Sequence, residues 1–318
     1  MRTFRLTIDF RAGSRMLGGD REKQMTPIRT LVDRDQDKLE PGLPRGLRDL
    51  YDGDLHFQTS PAERPFVFAN FVSTLDGVVS YAMKGQASGS AISGSDPADR
   101  FIMGLLRASA DAIIVGARTV HDTGPQSLWT AESIYPDAKQ LYTEYRINVL
   151  HKPPCPLLVV VSGSGKLELG RAIFRMPEAR TVVMTTPAGK EALTAAGAAK
   201  LPSVQIHALD SSSGAIEPLA MLRLLHAQYS VRSLLHEGGP SLFGEFMAAQ
   251  AVDELFLTLS PQIAGRTSDA VRPALVQGTE FMPECAPWFQ LLSVKQSADH
   301  LYLRYQRTGS LVKPEIEG

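Results

Sequence analysis

A carboxylate and two glycines stand together in the segment LLHEGGPSLFGEF. The apolar residues before Glu237 are typical of a buried strand, and Pro240 with the amphipathic stretch after it predicts a helix. In open α/β sheets, ligands bind where strands end, and backbone N–H groups at a helix start attract anions. Gly238 and Gly239 would let a phosphate approach closely, and Ser241 would add a hydroxyl donor. The alternative is a tight turn that merely needs glycine.

Two other strand-like runs end in a similar way. IIVGARTVHD runs into Gly116 and Thr119, which could hold a phosphate or a nicotinamide ring. NFVSTLDGVVS ends in hydroxyl residues, Asp76 and Gly77, and an Asp-Gly pair alone is an ordinary hairpin-turn signal. The chain has neither the GxGxxG pattern of a Rossmann unit nor a GxxxxGKS/T phosphate loop. Three polar, glycine-bearing strand ends in one chain nevertheless favour a ligand site.

The order of the predicted elements indicates the fold class. From residue 65 onward, strand-like apolar runs alternate with helical segments, which predicts an α/β fold with a mixed, mainly parallel central sheet flanked by helices. The last segments, WFQLLSVKQSA and HLYLRYQRT, predict an antiparallel hairpin. We expect three parts: a partly flexible N-terminal extension over residues 1–64, a folded domain over 65–310 and a tail over 311–318. The first two dozen residues are interpreted as mobile, and LPRGLRDLYDGD predicts one short helix.

The composition excludes several classes of partner. The 318 residues carry a net charge of −1, which indicates no nucleic-acid surface and no attraction to acidic membranes. No apolar run reaches the roughly 18 residues of a membrane helix, and the N-terminus lacks the apolar core of a secretory signal. Cys155 and Cys285 lie in no CxxC pattern, so we interpret them as reduced cytoplasmic thiols and expect no metal site.

The C-terminal strands also predict how copies of the chain associate. DELFLTLSPQIAG and HLYLRYQRT alternate, with apolar or aromatic residues on both faces. In the first strand Leu255, Leu257 and Leu259 lie on one face, and Phe256 and Thr258 lie on the other. In the second strand Leu301, Leu303 and Tyr305 lie opposite Tyr302 and Arg304. Such strands are disfavoured at an exposed sheet edge, and pairing across a twofold axis would cover them. We expect a homodimer joined through these strands; the alternative is that a helix of the same chain covers the faces.

Three segments together resemble the reductase domain of bacterial riboflavin biosynthesis, a family with the dihydrofolate-reductase-like fold. They are NFVSTLDGVVS, DRFIMGLLRASADAIIVGARTV and LLHEGGPSLFGEFMAAQAVDELFLTLSPQIAG, in the order of the family, and the resemblance covers residues 64–307. The region before them has no Cys and no HxE motif. The chain therefore resembles the stand-alone reductases, which lack the deaminase domain.

The resemblance implies an NADPH-dependent oxidoreductase similar to 5-amino-6-(5-phosphoribosylamino)uracil reductases. In that family the sugar ring of a ribosylamino-pyrimidine phosphate opens to an imine, and hydride is delivered to C1′, which needs alignment above all. The imine needs a proton donor or acceptor nearby, and Glu237 or Asp76 could serve. The resemblance implies that both residues face the substrate, with Thr74 beside them. The cofactor residues that it implies are Gly116, Thr119, Ser162, Gly163, Gly238, Gly239, Pro240 and Ser241.

The chain departs from the family pattern at two positions where basic residues are usual. Val78 follows the Asp-Gly pair in place of a lysine, and Trp129 stands where an arginine that meets the substrate is expected. Arg100, Arg107 and Arg118 are the candidates to replace that positive charge. Two alternatives stay open: the same fold reducing a pterin, a folate or another small heterocycle, and NADP binding without turnover.

Overall fold

The computed structural model describes residues 24–35, 42–83, 88–210, 216–267 and 272–308. Within these ranges, ten strands form one mixed sheet. The strands are β1 (Arg29–Asp33), β2 (Phe66–Ser73), β3 (Ala112–Gly116), β4 (Leu157–Val161), β5 (Thr181–Thr185), β6 (Val204–Ala208), β7 (Ser233–His236), β8 (Glu254–Leu259), β9 (Phe289–Ser297) and β10 (His300–Arg307). The α-helices are α1 (Arg45–Tyr51), α2 (Ser88–Ser93), α3 (Pro97–Ser109), α4 (Ala117–Asp122), α5 (Ala131–Ile134), α6 (Lys139–Thr143), α7 (Ala172–Arg175), α8 (Pro187–Ala195), α9 (Pro218–Tyr229) and α10 (Pro240–Ala248). No helix in this part of the chain is both long and apolar enough to cross a membrane.

The sheet has a parallel part and an antiparallel part. Strands β8-β2-β7-β3-β4-β5-β6 run parallel in that spatial order, and β10, β9 and β1 continue antiparallel beyond β8. The sequence of β4, LLVVV, is buried at four of its five positions because helices cover both faces of the parallel part. The predicted α/β class, the mainly parallel sheet and the C-terminal antiparallel hairpin are confirmed.

Helix α3 crosses one face of the sheet and carries several residues of the site described below. It begins at Asp96, whose carboxylate accepts a hydrogen bond from the Asp99 N–H at 2.8 Å, and Pro97 occupies the first helical position. Leu105 and Leu106 are fully buried. The helix is therefore held by an N-terminal cap and by packing of its apolar face onto the sheet.

The described part of the N-terminal extension packs onto the antiparallel strands. The predicted short helix is present as α1, which buries Leu47 and Tyr51. Strand β1 pairs with β9, and the Lys295 ammonium lies 4.0 Å from the ring centre of Tyr51. Residues 24–35 and 42–64 thus belong to the folded body. The first 23 residues, expected to be mobile, and the predicted tail lie outside the described residues.

The premise that β8 and β10 form a sheet edge is wrong. Strand β8 lies between β2 and β10, and β10 lies between β8 and β9, so neither is an edge strand; the N-terminal β1 lies at the edge beyond β9. The predicted alternation is present: Phe256 and Tyr302 are buried, whereas Leu257 and Leu303 are half-buried on the opposite face. The N-terminal segment covers the first of these faces, where the Phe57 ring packs against Phe256.

We expect Leu47→Ala to lower the free energy of unfolding by about 2–5 kcal/mol, because it removes a buried side chain and leaves a cavity. Arg45→Ala is the matched control on the same helix, since that side chain is 94% exposed, and it should change stability by less than about 0.5 kcal/mol. Urea unfolding followed by circular dichroism measures both. Equal stability of Leu47→Ala and the unmodified protein would show that α1 does not contribute to the core in solution.

Candidate functional site

A cavity of about 740 Å³ lies where strands β2, β3, β4 and β7 end. Residues of α3, α4 and α10 complete its wall. Ligands of open α/β sheets bind at the carboxyl ends of the strands, so the cavity occupies the position that the strand-end motifs predicted.

The turn after β7 is shaped by two glycines with different surroundings. A Cβ atom on Gly238 would lie 2.8 Å from Leu242 Cδ2 and 2.9 Å from His236 Cε1, so this glycine is required by packing. A Cβ on Gly239 would meet only the Thr119 hydroxyl, at 3.7 Å. Gly239 is the N-cap residue of α10 and lines the cavity. Its open side is therefore the place where a ligand can approach the helix N-terminus.

The second predicted strand end meets the first one. Gly116 is the N-cap residue of α4 and lines the cavity with Thr119, as Gly239, Pro240 and Ser241 do from α10. A Cβ on Gly116 would find no atom within 4 Å. The structure thus brings the two glycine-bearing turns to one wall of the cavity.

Glu237 is held by an arginine from the opposite wall. Arg107 of α3 donates from Nε to Oε1 at 2.9 Å and from Nη2 to Oε2 at 2.7 Å. Arg107 is 5% exposed and Glu237 is 9% exposed, and both line the cavity. Arg107 Nη1 also lies 3.3 Å from the Thr130 carbonyl oxygen. A bidentate, nearly dry pair of this kind fixes the orientation of the carboxylate.

Asp76 and Thr74 hold a turn beside the cavity. The Thr74 hydroxyl donates to Asp76 Oδ1 at 2.6 Å, and the N–H groups of Ala264 and Gly265 donate to the same carboxylate. The hydrogen bond from Thr74 is the largest of the causes that lower the pKa of Asp76 to about 2. Neither side chain lines the cavity. Their roles toward the substrate stay predictions that this geometry does not support.

The loop after β4 reaches the cavity with one of its two predicted residues. Gly163 lines the cavity, and its carbonyl oxygen accepts a hydrogen bond from the Thr186 hydroxyl. Ser162 is buried, and its carbonyl oxygen accepts from the Thr185 hydroxyl. Gly165 packs so closely against Gly189 that a Cβ there would clash. The loop is therefore a packed turn with one face open to a ligand.

The two departures from the family pattern have different structural meanings. Val78 is fully buried, and its N–H donates to the Thr74 hydroxyl. Trp129 is 7% exposed and lines the cavity. Only the change at Trp129 therefore replaces a wall residue, and it makes that wall more apolar.

Helix α3 and strand β2 contribute residues that the motifs did not assign. Asp99, Met103 and Arg107 lie at i, i+4 and i+8 spacing on the cavity face of α3, and Arg100 lies beside them. The sequence motifs offer Arg100 and Arg107 only as replacement cations and assign no role to Asp99. The available signal was a line of charged residues on an otherwise apolar helix. Asn70 lines the cavity from β2.

Asp99 lies in an environment that favours its protonated form. Burial is the largest influence and raises the pKa of Asp99, and the nearby Asp96 carboxylate raises it further. Hydrogen bonds with Thr258 and Ser93 act in the opposite direction but do not reverse the shift. A half-buried carboxyl group with a raised pKa can supply a proton to the cavity that it lines.

Comparison with known proteins identifies relatives of the chain. Residues 65–301 match the family model described as the RibD C-terminal domain. The 2,5-diamino-6-ribosylamino-4(3H)-pyrimidinone 5′-phosphate reductase of Archaeoglobus fulgidus is 30% identical over 227 residues, which cover 70% of this chain and 90% of the relative.

Solved structures share the fold. RibD of Acinetobacter baumannii superimposes with a TM-score of 0.57 at 23% identity, over 78% of this chain. The chain spans only 59% of the length of that protein. A pyrimidine reductase-like protein of Corynebacterium diphtheriae gives a TM-score of 0.58 at 21% identity, over 77% of this chain and 93% of the other.

We expect Gly238→Val to unfold at a lower temperature than Gly239→Val. The first substitution forces atoms against Leu242 and His236, whereas the second extends into the open cavity. Differential scanning fluorimetry of the two variants and the unmodified protein measures the difference. Equal melting temperatures for the two variants would mean that the turn does not have this geometry in solution.

Proposed function

The chain belongs to the RibD C-terminal domain family, and on this basis we propose that it reduces a ribosylamino-pyrimidine 5′-phosphate with NADPH in riboflavin biosynthesis. As a member of this family it is an oxidoreductase of the pyrimidine reductase type. The observation that carries the proposal is the cavity wall where the Gly116 and Gly239 turns meet beside the paired carboxylate of Glu237. A nicotinamide cofactor bound there would supply the hydride.

The residues of that wall fit a dinucleotide. The open positions at Gly116 and Gly239 leave room for a pyrophosphate at the N-terminus of α10, where unpaired N–H groups favour an anion. Arg118 stands beside Gly116 with its side chain 82% exposed at the cavity, and its nearest carboxylate, Asp122, is 3.8 Å away. This guanidinium is suited to the adenosine 2′-phosphate, so we propose NADPH rather than NADH as the cofactor.

The α3 wall fits the substrate. Among the described residues Arg100 forms no ion pair; its Nε donates to the Ile134 carbonyl oxygen at 2.8 Å, which leaves the other donors of the guanidinium for a phosphate. Arg107 is not available to bind the phosphate, because its guanidinium already forms an ion pair with Glu237. Met103 and Trp129 offer apolar surface to a planar pyrimidine.

The reaction needs one proton and one hydride. Ring opening moves a proton from the exocyclic nitrogen to the ring oxygen and leaves an imine; hydride then adds to C1′ and a proton to nitrogen. Asp99 is the proposed proton donor, because it lines the cavity and burial raises its pKa, which favours the protonated form. His236, which precedes Glu237 in the chain, is not suited to the role, because burial lowers its pKa to about 3. Asp99 replaces Glu237 and Asp76 in this proposal.

Turnover tests the proposal directly. We expect loss of NADPH absorbance at 340 nm when the purified protein receives the ribosylamino-pyrimidine phosphate, with weaker activity on NADH. Gly239→Val should abolish NADPH binding in calorimetry while the variant remains folded. Oxidation of NADPH only with a pterin or a folate would show that the protein reduces a different class of substrate. No oxidation with any of these compounds would contradict the reductase function.

The pH dependence tests Asp99. Because the protonated carboxyl group is the active form, kcat should fall as the pH rises through the raised pKa of Asp99. Asp99→Asn should lower kcat by about 10²- to 10⁴-fold and remove this limb of the profile. Stopped-flow measurement of a single turnover across pH checks both effects. A variant that keeps the limb would assign the titration to another group.

We also propose a homodimer, in the cytoplasm. The half-buried residues Leu257, Leu301 and Leu303 form an apolar face on β8 and β10 that a second copy would cover. Cys155 and Cys285 are free, as in a reducing compartment. Light scattering at micromolar concentration should give twice the 34.6 kDa mass of one chain. A monomer mass that persists on concentration would contradict the dimer.

A further inference from the structure

The buried pair between Arg107 and Glu237 has a consequence for how the cavity recognises its ligand. A carboxylate offers about four lone-pair positions. Arg107 occupies one on each oxygen, at 2.9 and 2.7 Å. Glu237 lines the cavity, so its remaining acceptor positions are the ones that a ligand can reach. Because both oxygens accept from a guanidinium, this geometry leaves no place for a carboxyl proton on the Arg107 side.

We propose that Arg107 is a positioning residue, which holds Glu237 as an ionised acceptor that recognises a donor group of the substrate. The matching donors are N–H groups of an aminopyrimidine and hydroxyl groups of the sugar chain. The inference rests on the proposed function, and it assigns Glu237 to substrate recognition while proton supply falls to Asp99. Arg107 itself acts through Glu237.

The surroundings of the pair support this division. The Glu237 N–H donates to the Ile114 carbonyl oxygen at 3.0 Å, which anchors the residue at the end of β7. Arg107 projects from α3, and its Nη1 lies 3.3 Å from the Thr130 carbonyl oxygen and 3.5 Å from the Ser133 hydroxyl. The position of the Arg107 guanidinium is therefore set by α3, by the end of β7 and by the start of α5. A lysine could keep the charge but could not reproduce the two parallel hydrogen bonds.

The chain contains a second buried arginine–glutamate pair outside the cavity, which serves as a control, although its guanidinium also pairs with Asp35 at 2.6 Å. Arg304 donates from Nε to Glu254 Oε2 at 2.8 Å and from Nη2 to Oε1 at 3.0 Å. Both side chains are buried, with 4% and 1% exposure, and neither lines the cavity. Arg304→Lys should therefore lower the melting temperature as Arg107→Lys does, without the effect on substrate recognition.

Steady-state kinetics separate recognition from proton transfer. We expect Arg107→Lys and Glu237→Gln to raise KM for the pyrimidine by about 10- to 100-fold, the effect of losing a hydrogen bond to a charged group. Both variants should retain the decline of kcat at high pH that Asp99 produces. Arg304→Lys should keep KM within about twofold of the unmodified protein, since neither residue of that pair lines the cavity.

A double variant separates positioning from mere support of the fold. Arg107→Met leaves a buried carboxylate without its partner, and adding Glu237→Gln removes that charge. The double variant should therefore melt closer to the unmodified protein than Arg107→Met does, while its KM stays raised. Recovery of KM together with the melting temperature would mean that the pair has only a structural role, which overturns the inference.

Four further outcomes are decisive. An unchanged KM in Arg107→Lys, or an equal rise in Arg304→Lys, overturns the positioning role. Loss of the high-pH decline in Glu237→Gln would make Glu237 the proton donor and also overturns it. An unmodified protein without NADPH oxidation overturns the proposed function and, with it, the substrate role of Glu237. In that case the melting temperatures of the single and double variants still report whether the pair is formed.

Discussion

The ion pair between Arg107 and Glu237 joins the two walls on which the site depends. It connects α3, which carries four of the cavity-lining residues, to the turn between β7 and α10, which carries the glycines. A buried guanidinium or carboxylate alone would be costly, so the two residues require each other and the distance between the walls is fixed. The parallel sheet makes this possible because it brings β2, β3, β4 and β7 to an end at one edge.

Much of the architecture could be predicted from the sequence because it depends on local patterns. Apolar runs such as LLVVV indicate strands buried on both faces, and a glycine-proline step marks the start of α10. The meeting of Gly116 and Gly239 at one cavity follows from the parallel order of β3 and β7. The family resemblance then supplied the chemistry, which no local pattern contains.

What sequence reasoning missed depends on long-range contacts. Asp99 and Arg107 were difficult to assign, because a charged residue on a helix usually faces solvent and only the packing of α3 against the strand ends reverses this. Asp76 gives the opposite lesson: its Asp-Gly signal is a real turn, and the carboxylate caps the N–H groups of a loop almost 190 residues further on. The position of β1 beside β9 could not be predicted either, because a strand of five residues does not specify its pairing partner or register.

The cavity places two carboxyl groups in contrasting surroundings, and the contrast can divide the chemistry between them. Glu237 pairs with the positively charged guanidinium of Arg107. Within the part of the chain that the structure describes, Asp99 lacks such a partner, and burial together with the negative charge of Asp96 raises its pKa. One carboxyl group is thus arranged to accept hydrogen bonds and the other to give up a proton. Asp99 shares the α3 wall with Arg100, the cation that we propose for a phosphate, and Glu237 faces them from the opposite wall. A substrate with a donor-rich ring, an imine nitrogen and a phosphate would engage each of these three groups at once.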